Sequence, residues 1–138
     1  MQNTGQHYGE RTITKVRAQL GAEQVLDLIT TSLDSDKAEN IISIPLKGKS
    51  AMADYMVIAS GSSSRQIAAM AEHVEFKLKQ AGVGILGLEG LRQGDWVLID
   101  ANDVIVHLFR PEVRDFYGIE RIWMSEGAEE VVTVGSDA

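Results

Sequence analysis

The segment Gly61-Ser62-Ser63-Ser64-Arg65 follows an apolar run and is the first place where this sequence could hold a reacting group. Backbone N–H groups at the start of a helix can bind an anion such as a phosphate. Transfer of a phosphate-bearing group would also need paired carboxylates on the next strand to hold Mg²⁺. Residues 84–88 contain no acid, and only Glu89 follows them. The segment therefore predicts one of two things. It is either an anion site without the paired carboxylates that would hold Mg²⁺, or an N-cap with a solvated arginine.

Asp100 and Asp103 flank a predicted turn, and two neighbouring carboxylates can bind a metal ion or act as acid and base. Asp and Asn are also the residues that tight turns prefer, so a turn is the alternative interpretation. His107 shares one strand face with Asp103 by alternation. Because no second histidine lies nearby in sequence, we expect His107 to be a packed or a surface-recognition residue rather than a metal ligand.

An aromatic and basic cluster occupies residues 109–123. The apolar members that we expect in the core are Phe116, Ile119 and Trp123. The polar members on the same short helical turns are Arg114, Tyr117, Glu120 and Arg121. These polar residues predict either a solvated face with pairs such as Tyr117–Arg121 or a protein interface, since Tyr, Trp and Arg dominate binding hot spots.

The elements that position these residues follow from hydrophobic periodicity. Apolar residues at helical spacing predict helices over residues 22–33 and 63–81, a short helix from Pro111, and helical turns over residues 116–124. Apolar runs and alternation predict strands over residues 40–46, 54–59, 85–88, 96–100 and 104–109, the last two as a hairpin. The order indicates an α/β fold with one mixed sheet flanked by helices.

The composition describes one acidic globular domain. The chain has 138 residues, no cysteine and a net charge of -7, so disulfides and thiolate metal sites are excluded. An acidic chain is a poor match for bare nucleic acid or an anionic membrane and a better match for a basic protein. No apolar stretch approaches the roughly 20 residues of a membrane span, and no signal-peptide core precedes the domain. We therefore expect a cytoplasmic protein.

The two ends of the chain differ in charge from the middle. Residues 1–17 carry +2 and have no sustained period, which predicts a flexible tail. Residues 126–138 carry -4 and hold one apolar cluster, Val131 to Val134. We expect this acidic tail to be mostly disordered, with that cluster as a candidate edge strand. The folded domain is then predicted over residues 18–125.

Three ordered blocks of the sequence carry a family resemblance. The first runs from Asp54 to Gln66: an aspartate, an aromatic residue, an apolar strand, then Gly-Ser-Ser-Ser-Arg-Gln. The second and third blocks span residues 89–109 and 114–123. Together they resemble the ribosomal silencing factor family, also called Iojap-like, over about residues 22–125.

The resemblance implies a nucleotidyltransferase-like fold without the catalytic carboxylates, and hence a protein that is not an enzyme and needs no cofactor or metal. It implies binding to the large ribosomal subunit through its protein fourteen, which sterically blocks joining of the small subunit and represses translation. It leaves open a role in large-subunit assembly, a minor rRNA contact and a homodimer of the free protein. The alternative is a nucleotide- and Mg²⁺-dependent transferase using Gly61, Ser62, Asp100 and Asp103.

By matching position, the resemblance implies a protein interface, with Trp96 and Tyr55 as anchors and Asp100 and Glu120 facing basic groups. Its residues are Asp54, Tyr55, Trp96, Asp100, His107, Phe109, Arg114, Tyr117, Glu120 and Arg121. The sequence departs from the family pattern at two points. Ala101-Asn102 replaces an aromatic-Gly pair, and Gly118 replaces an acid, which we expect to weaken the last helix slightly.

Overall fold

The computed structural model of the protein describes residues 20–46, 48–124 and 132–134. Within these residues the chain forms four helices and six strands. In chain order they are α1 (Ala22–Ser35), β1 (Glu39–Pro45), β2 (Tyr55–Ser60), α2 (Ser64–Gln80), β3 (Gly87–Glu89), β4 (Trp96–Asp100), β5 (Val104–Phe109), α3 (Pro111–Tyr117), α4 (Ile119–Met124) and β6 (Val132–Val134). None of the helices among the described residues is long and apolar enough to cross a membrane.

The strands form one mixed sheet in the order β3-β4-β5-β2-β1-β6. β2 and β5 lie side by side and parallel, in register from Tyr55 opposite Val104 to Ser60 opposite Phe109. The other neighbouring pairs are antiparallel. Both central strands are buried along almost their whole length, as their continuous apolar runs predict. The predicted α/β fold, a mixed sheet flanked by helices, is confirmed.

α1 and α2 cover one face of the sheet. Apolar residues at helical spacing, such as Val25, Ile29 and Leu33 on α1, are buried against that face. α2 begins where Ser63 accepts a hydrogen bond from the backbone N–H of Gln66 at 3.1 Å. The larger core lies between these two helices and the sheet. We call the side of the sheet that α1 and α2 cover the helix face.

The opposite face of the sheet packs a smaller apolar cluster that includes Ile58 and Phe109. α3 and α4 lie against this second face. Pro111 starts α3, and Gly118 ends it in the left-handed conformation with φ of 58°. The prediction of continuous helical turns over residues 116–124 is therefore wrong at Gly118, which lies between two helices.

The remaining differences from the predicted elements lie at the edges of the sheet. The strand predicted over residues 85–88 is shifted and becomes β3, Gly87–Glu89. At the other edge, the candidate strand near the end of the chain is present as β6, with Val134 opposite Ile41. Residues 1–17 and the rest of 126–138 lie outside the described residues, so their flexibility stays a prediction.

Candidate protein interface around Trp96

An aromatic cluster lies on the second face at the start of β4. Trp96 is directly opposite Phe109 in the β4–β5 register, and their ring centroids are 4.8 Å apart. Tyr117, the last residue of α3, places its ring centroid 4.8 Å from that of Trp96. Two strands and one short helix therefore converge on Trp96. The structure brings together three of the predicted interface residues at this point.

His107 supports this cluster from beneath. Its Nδ1 accepts a hydrogen bond from Nε1 of Trp96 at 2.9 Å. Because an indole N–H only donates, Nδ1 carries no proton and the neutral imidazole holds its proton on Nε2. Burial lowers the pKa of His107 to about 4, which keeps the ring neutral at physiological pH.

Three of the predicted interface residues are buried: His107, Phe109 and Arg114, and the first two pack against Trp96. His107 is 8% exposed and Phe109 is 1% exposed. They lie under Trp96 and set its orientation, so they can affect a surface mainly through Trp96. This placement agrees with the interpretation of His107 as a packed residue.

An open groove of about 560 Å³ runs beside Trp96. Its lining comes from the β3–β4 connection, β4 and α3: Gln93, Asp95, Trp96, Glu112, Val113, Phe116 and Tyr117. Phe116 is 79% exposed, so the prediction that it lies in the core is wrong. α3 has seven residues, and the one it buries is Arg114. Phe116 and Tyr117 thus form the exposed apolar part of a surface, which we call the Trp96 groove.

Sequence reasoning missed five members of this surface: Gln93, Asp95, Glu112, Val113 and Phe116. No clear signal in the sequence identified Phe116, because α3 has only seven residues. Phe116 and Tyr117 both line the groove although adjacent residues on a helix point in different directions.

Charged side chains line the rim of the Trp96 groove. The Arg110 guanidinium lies 2.8 Å from Oε2 of Glu112 and 3.6 Å from Oδ1 of Asp95. Both carboxylates are more than half exposed, so these pairs contribute little to stability. Two acids around one arginine leave the rim negative.

Arg114 and Glu120 are paired with each other. Nε of Arg114 lies 2.6 Å from Oε1 of Glu120, and Nη1 donates to Oγ of Ser60 at 2.7 Å. Arg114 is 8% exposed, so the solvated face predicted for it is wrong. The basic group that Glu120 faces is Arg114 of its own chain. Arg121 is exposed and its guanidinium lies over Gly118.

Tyr55 lies on the helix face, on the other side of the sheet from Trp96. Its hydroxyl donates to Oε2 of Glu23 at 3.2 Å. Burial, and then the hydrogen bond to the Glu23 carboxylate, raises the pKa of Tyr55. The structure therefore does not bring the two expected anchors together on one surface.

Asp54, Asp100 and Asp103 lie at the end of the sheet where β2 and β5 begin. The Asp54 N–H donates to the Asp103 carbonyl at 2.8 Å. Oδ1 of Asp100 accepts from the N–H of Asn102 at 3.0 Å, which makes Asp100 part of the hairpin turn. Asn102 has φ of 74°, a conformation that Asn adopts more readily than most residues. Asn102 can therefore occupy the position where the resemblance implies a glycine.

The residues of the transferase alternative lie at opposite ends of the sheet. Gly61 and Ser62 follow β2, whereas Asp103 precedes β5, and these six-residue parallel strands are in register. A strand of that length separates its two ends by roughly 17 Å. Ser62 donates from its N–H and from Oγ to Oε1 of Gln66, at 2.7 and 3.0 Å. The N-cap interpretation of residues 61–65 is confirmed, and the transferase residues are not brought together.

No group of three or more His, Asp or Glu side chains suited to a metal ion occurs within residues 20–46, 48–124 and 132–134. The acids described above are instead distributed between the hairpin turn, the groove rim and the Arg114 pair.

Comparison with known proteins gives one consistent result. Residues 19–137 match the family model described as ribosomal silencing factor during starvation. A ribosomal silencing factor of Zymomonas mobilis is 57% identical over 101 residues, 73% of this chain and 76% of that protein. A crystal structure from Chromobacterium violaceum has a TM-score of 0.74 and 40% identity, covering 75% of this chain and 87% of the other.

A mouse protein named for mitochondrial assembly of the ribosomal large subunit is more distant. It is 31% identical over 132 residues, which cover 86% of this chain and 58% of the mouse protein. The family match spans most of the sequence, including α3 and α4 and the Trp96 groove. The chain therefore belongs to the ribosomal silencing factor family.

Proposed function

We propose that this protein binds the large ribosomal subunit through its protein fourteen and sterically blocks joining of the small subunit. The observation that carries the proposal is the Trp96 groove, where Trp96, Phe116 and Tyr117 form an aromatic surface. Aromatic residues are enriched in the cores of protein interfaces and among their hot spots. Phe116 and Tyr117 are 79% and 51% exposed, so this aromatic surface is accessible to a partner.

Charge supports a basic protein as the partner. The chain has a net charge of -7, and the groove rim adds Asp95 and Glu112 next to the aromatic rings. Complementary charge steers association and favours the correct partner. The same negative charge opposes extensive contact with RNA phosphates, so any rRNA contact is a minor part of this proposal.

The blocking mechanism needs position rather than chemistry. The Gly61 N–H donates to the Phe109 carbonyl, and Ser62 donates to Gln66 beside the Ser63 N-cap. Asp100 and Asp103 lie at the far end of the sheet. These placements support a protein that acts by occupying the joining surface and not as an enzyme. A buried area of about 800 Å² on each partner is enough to hold such a complex.

Sedimentation of purified ribosomal subunits tests the proposal. The subunits are mixed with the protein at low magnesium, and magnesium is then raised to promote joining. We expect the protein to sediment with the large subunit alone and the joined particle to decrease. Absence of association with either subunit at moderate salt would contradict the proposal.

A matched pair of variants locates the contact. Phe116 and Phe76 are both exposed phenylalanines on helices. Phe116 lines the groove, whereas Phe76 lies on α2, which covers the opposite side of the sheet. We expect Phe116→Ala to weaken binding about tenfold, as loss of an aromatic hot spot does. Phe76→Ala should bind like the wild type. Equal effects of the two substitutions would place the contact elsewhere.

The name of the mouse relative favours assembly of the large subunit as a second candidate function. Cells that lack the protein separate the two functions. Accumulated precursor particles would support assembly, whereas normal large subunits that join too freely would support silencing.

A further inference from the structure

Arg114 is a buried cation that connects three elements. Its side chain extends from α3, donates from Nη1 to Ser60 at the end of β2, and pairs through Nε with Glu120 in the first turn of α4. Its own carbonyl accepts the N–H of Gly118, the residue between the two helices. Ser60 is 1% exposed, so the contact with the sheet is in the protein interior.

The two helices need such a contact because both are short. α3 has seven residues and α4 has six. Helices shorter than about 12 residues are marginal on their own in water, so tertiary contacts must fix their position. Tyr117 ends α3 and forms one wall of the Trp96 groove. Its position against Trp96 therefore depends on what holds the joint between α3 and α4.

We infer that Arg114 is a positioning residue: its bonds to Ser60 and Glu120 hold Tyr117 against Trp96, so that the Trp96 groove is formed before a partner binds. A surface that is ordered in advance binds more tightly because it loses less conformational entropy on association. Only the effect on affinity rests on the proposed function. The effect on the groove itself concerns the free protein.

The chemistry of the side chain fits this role. A guanidinium presents donors in a rigid planar fork and can engage Ser60 and Glu120 together, whereas a lysine is a single flexible point charge. A buried ion pair adds little net stability compared with apolar residues of the same volume. Fixing the geometry of the helix joint is therefore a better account of this pair than general stability.

Glu120→Gln tests the inference, with Glu72→Gln as a control of equal charge change at an exposed position of α2. The first readout uses the free protein: hydrogen exchange of the amides of residues 111–124 and the ring contact of Tyr117 with Trp96 in NMR spectra. The second readout is the affinity for the large subunit, measured by sedimentation where both variants are folded. Ser60→Ala, which keeps the ion pair, is the milder variant if Glu120→Gln does not fold.

We expect Glu120→Gln to speed exchange in residues 111–124, to lose the Tyr117–Trp96 contact and to weaken binding about tenfold, with exchange in α2 unchanged. Glu72→Gln should match the wild type in every readout. An unchanged ring contact, or unchanged affinity despite faster exchange, would overturn the inference. If even the wild type did not bind the large subunit, the proposed function would fail, and the exchange and ring-contact data would still decide whether Arg114 positions Tyr117.

Discussion

The indole N–H of Trp96 donates to Nδ1 of His107 across the β4–β5 pair, at 2.9 Å. The two residues are diagonal neighbours on one face of the sheet, since Trp96 is opposite Phe109 and Leu98 is opposite His107. This bond requires a neutral histidine, because a protonated ring would turn Nδ1 into a donor facing another donor. The orientation of Trp96 in the groove is therefore linked to the protonation state of the buried His107.

Lowering the pH should destabilise the protein through His107. Burial lowers the folded-state pKa of His107 from 6.5 to about 4, so the unfolded chain binds more protons than the folded protein between these pH values. The contribution of His107 is fully present above about pH 6.5, declines as the pH falls, and is lost below about pH 4. It amounts to roughly 3 kcal/mol in the free energy of unfolding. Urea denaturation at a series of pH values measures it.

His107→Gln is the control for that measurement, because a glutamine does not titrate. The difference in unfolding free energy between wild type and variant should shrink as the pH falls from 6.5 to 4. Carboxylates elsewhere in the chain affect both proteins and cancel in the difference. A difference that stays constant over this range would show that His107 is not held neutral by burial.

Gly90→Ala should distort the turn that leads into β4. Gly90 has φ of 93°, and a Cβ there would lie 2.1 Å from the carbonyl oxygen of Trp96. Backbone strain and the clash together should cost roughly 2–4 kcal/mol in unfolding free energy. Gly84→Ala is the matched control, since a Cβ at Gly84 meets nothing within 4 Å. Thermal unfolding of both variants checks this, and equal losses would contradict it.

Much of the sheet could be predicted because its strands are long apolar runs between clear turns. The hairpin strands β4 and β5 have the predicted bounds, Trp96–Asp100 and Val104–Phe109. Alternation along β4 leaves one side buried and the other half-exposed, which is a strong signal of register. The turn between the two strands was also predictable, since Asp100 and Asn102 are turn residues.

The placement of the site residues could not be predicted in the same way. β2 is buried on both sides, so no alternation shows which face Tyr55 takes. α3 has only seven residues, which is too short for hydrophobic periodicity to show that Arg114 is buried and Phe116 is exposed. The pairing of Arg114 with Ser60 joins residues 54 positions apart, and no local pattern indicates such a contact.

Ser63→Ala should weaken the start of α2 without affecting recognition. The Ser63 hydroxyl accepts the Gln66 N–H at 3.1 Å, and loss of such a cap costs about 1 kcal/mol. None of residues 61–65 lines the Trp96 groove. We expect a lower midpoint of chemical denaturation and unchanged sedimentation with the large subunit. Loss of binding by a folded Ser63→Ala variant would revive the anion-site interpretation of this segment.

Trp96→Ala and Tyr55→Ala should differ in their effect on binding, because the two side chains lie on opposite faces of the sheet. One flat interface can cover the Trp96 groove but cannot also reach Tyr55, whose hydroxyl is bonded to Glu23 of α1. We expect Trp96→Ala to weaken binding to the large subunit at least about tenfold and Tyr55→Ala to change it less than about twofold. Sedimentation with the large subunit over a range of protein concentrations measures both.

Folding must be controlled in this comparison, because Trp96 also packs on Phe109 and bonds His107. Trp96→Phe keeps an aromatic ring on Phe109 and removes the indole N–H, so it should fold and bind between the wild type and Trp96→Ala. Circular dichroism and thermal unfolding identify variants that are not folded at the assay temperature. A loss of affinity for Tyr55→Ala as large as that for Trp96→Ala would mean that the interface wraps around the end of the sheet where β2 begins. In that case Asp54 and the Tyr55–Glu23 pair would belong to the contact, and the Trp96 groove alone would not describe it.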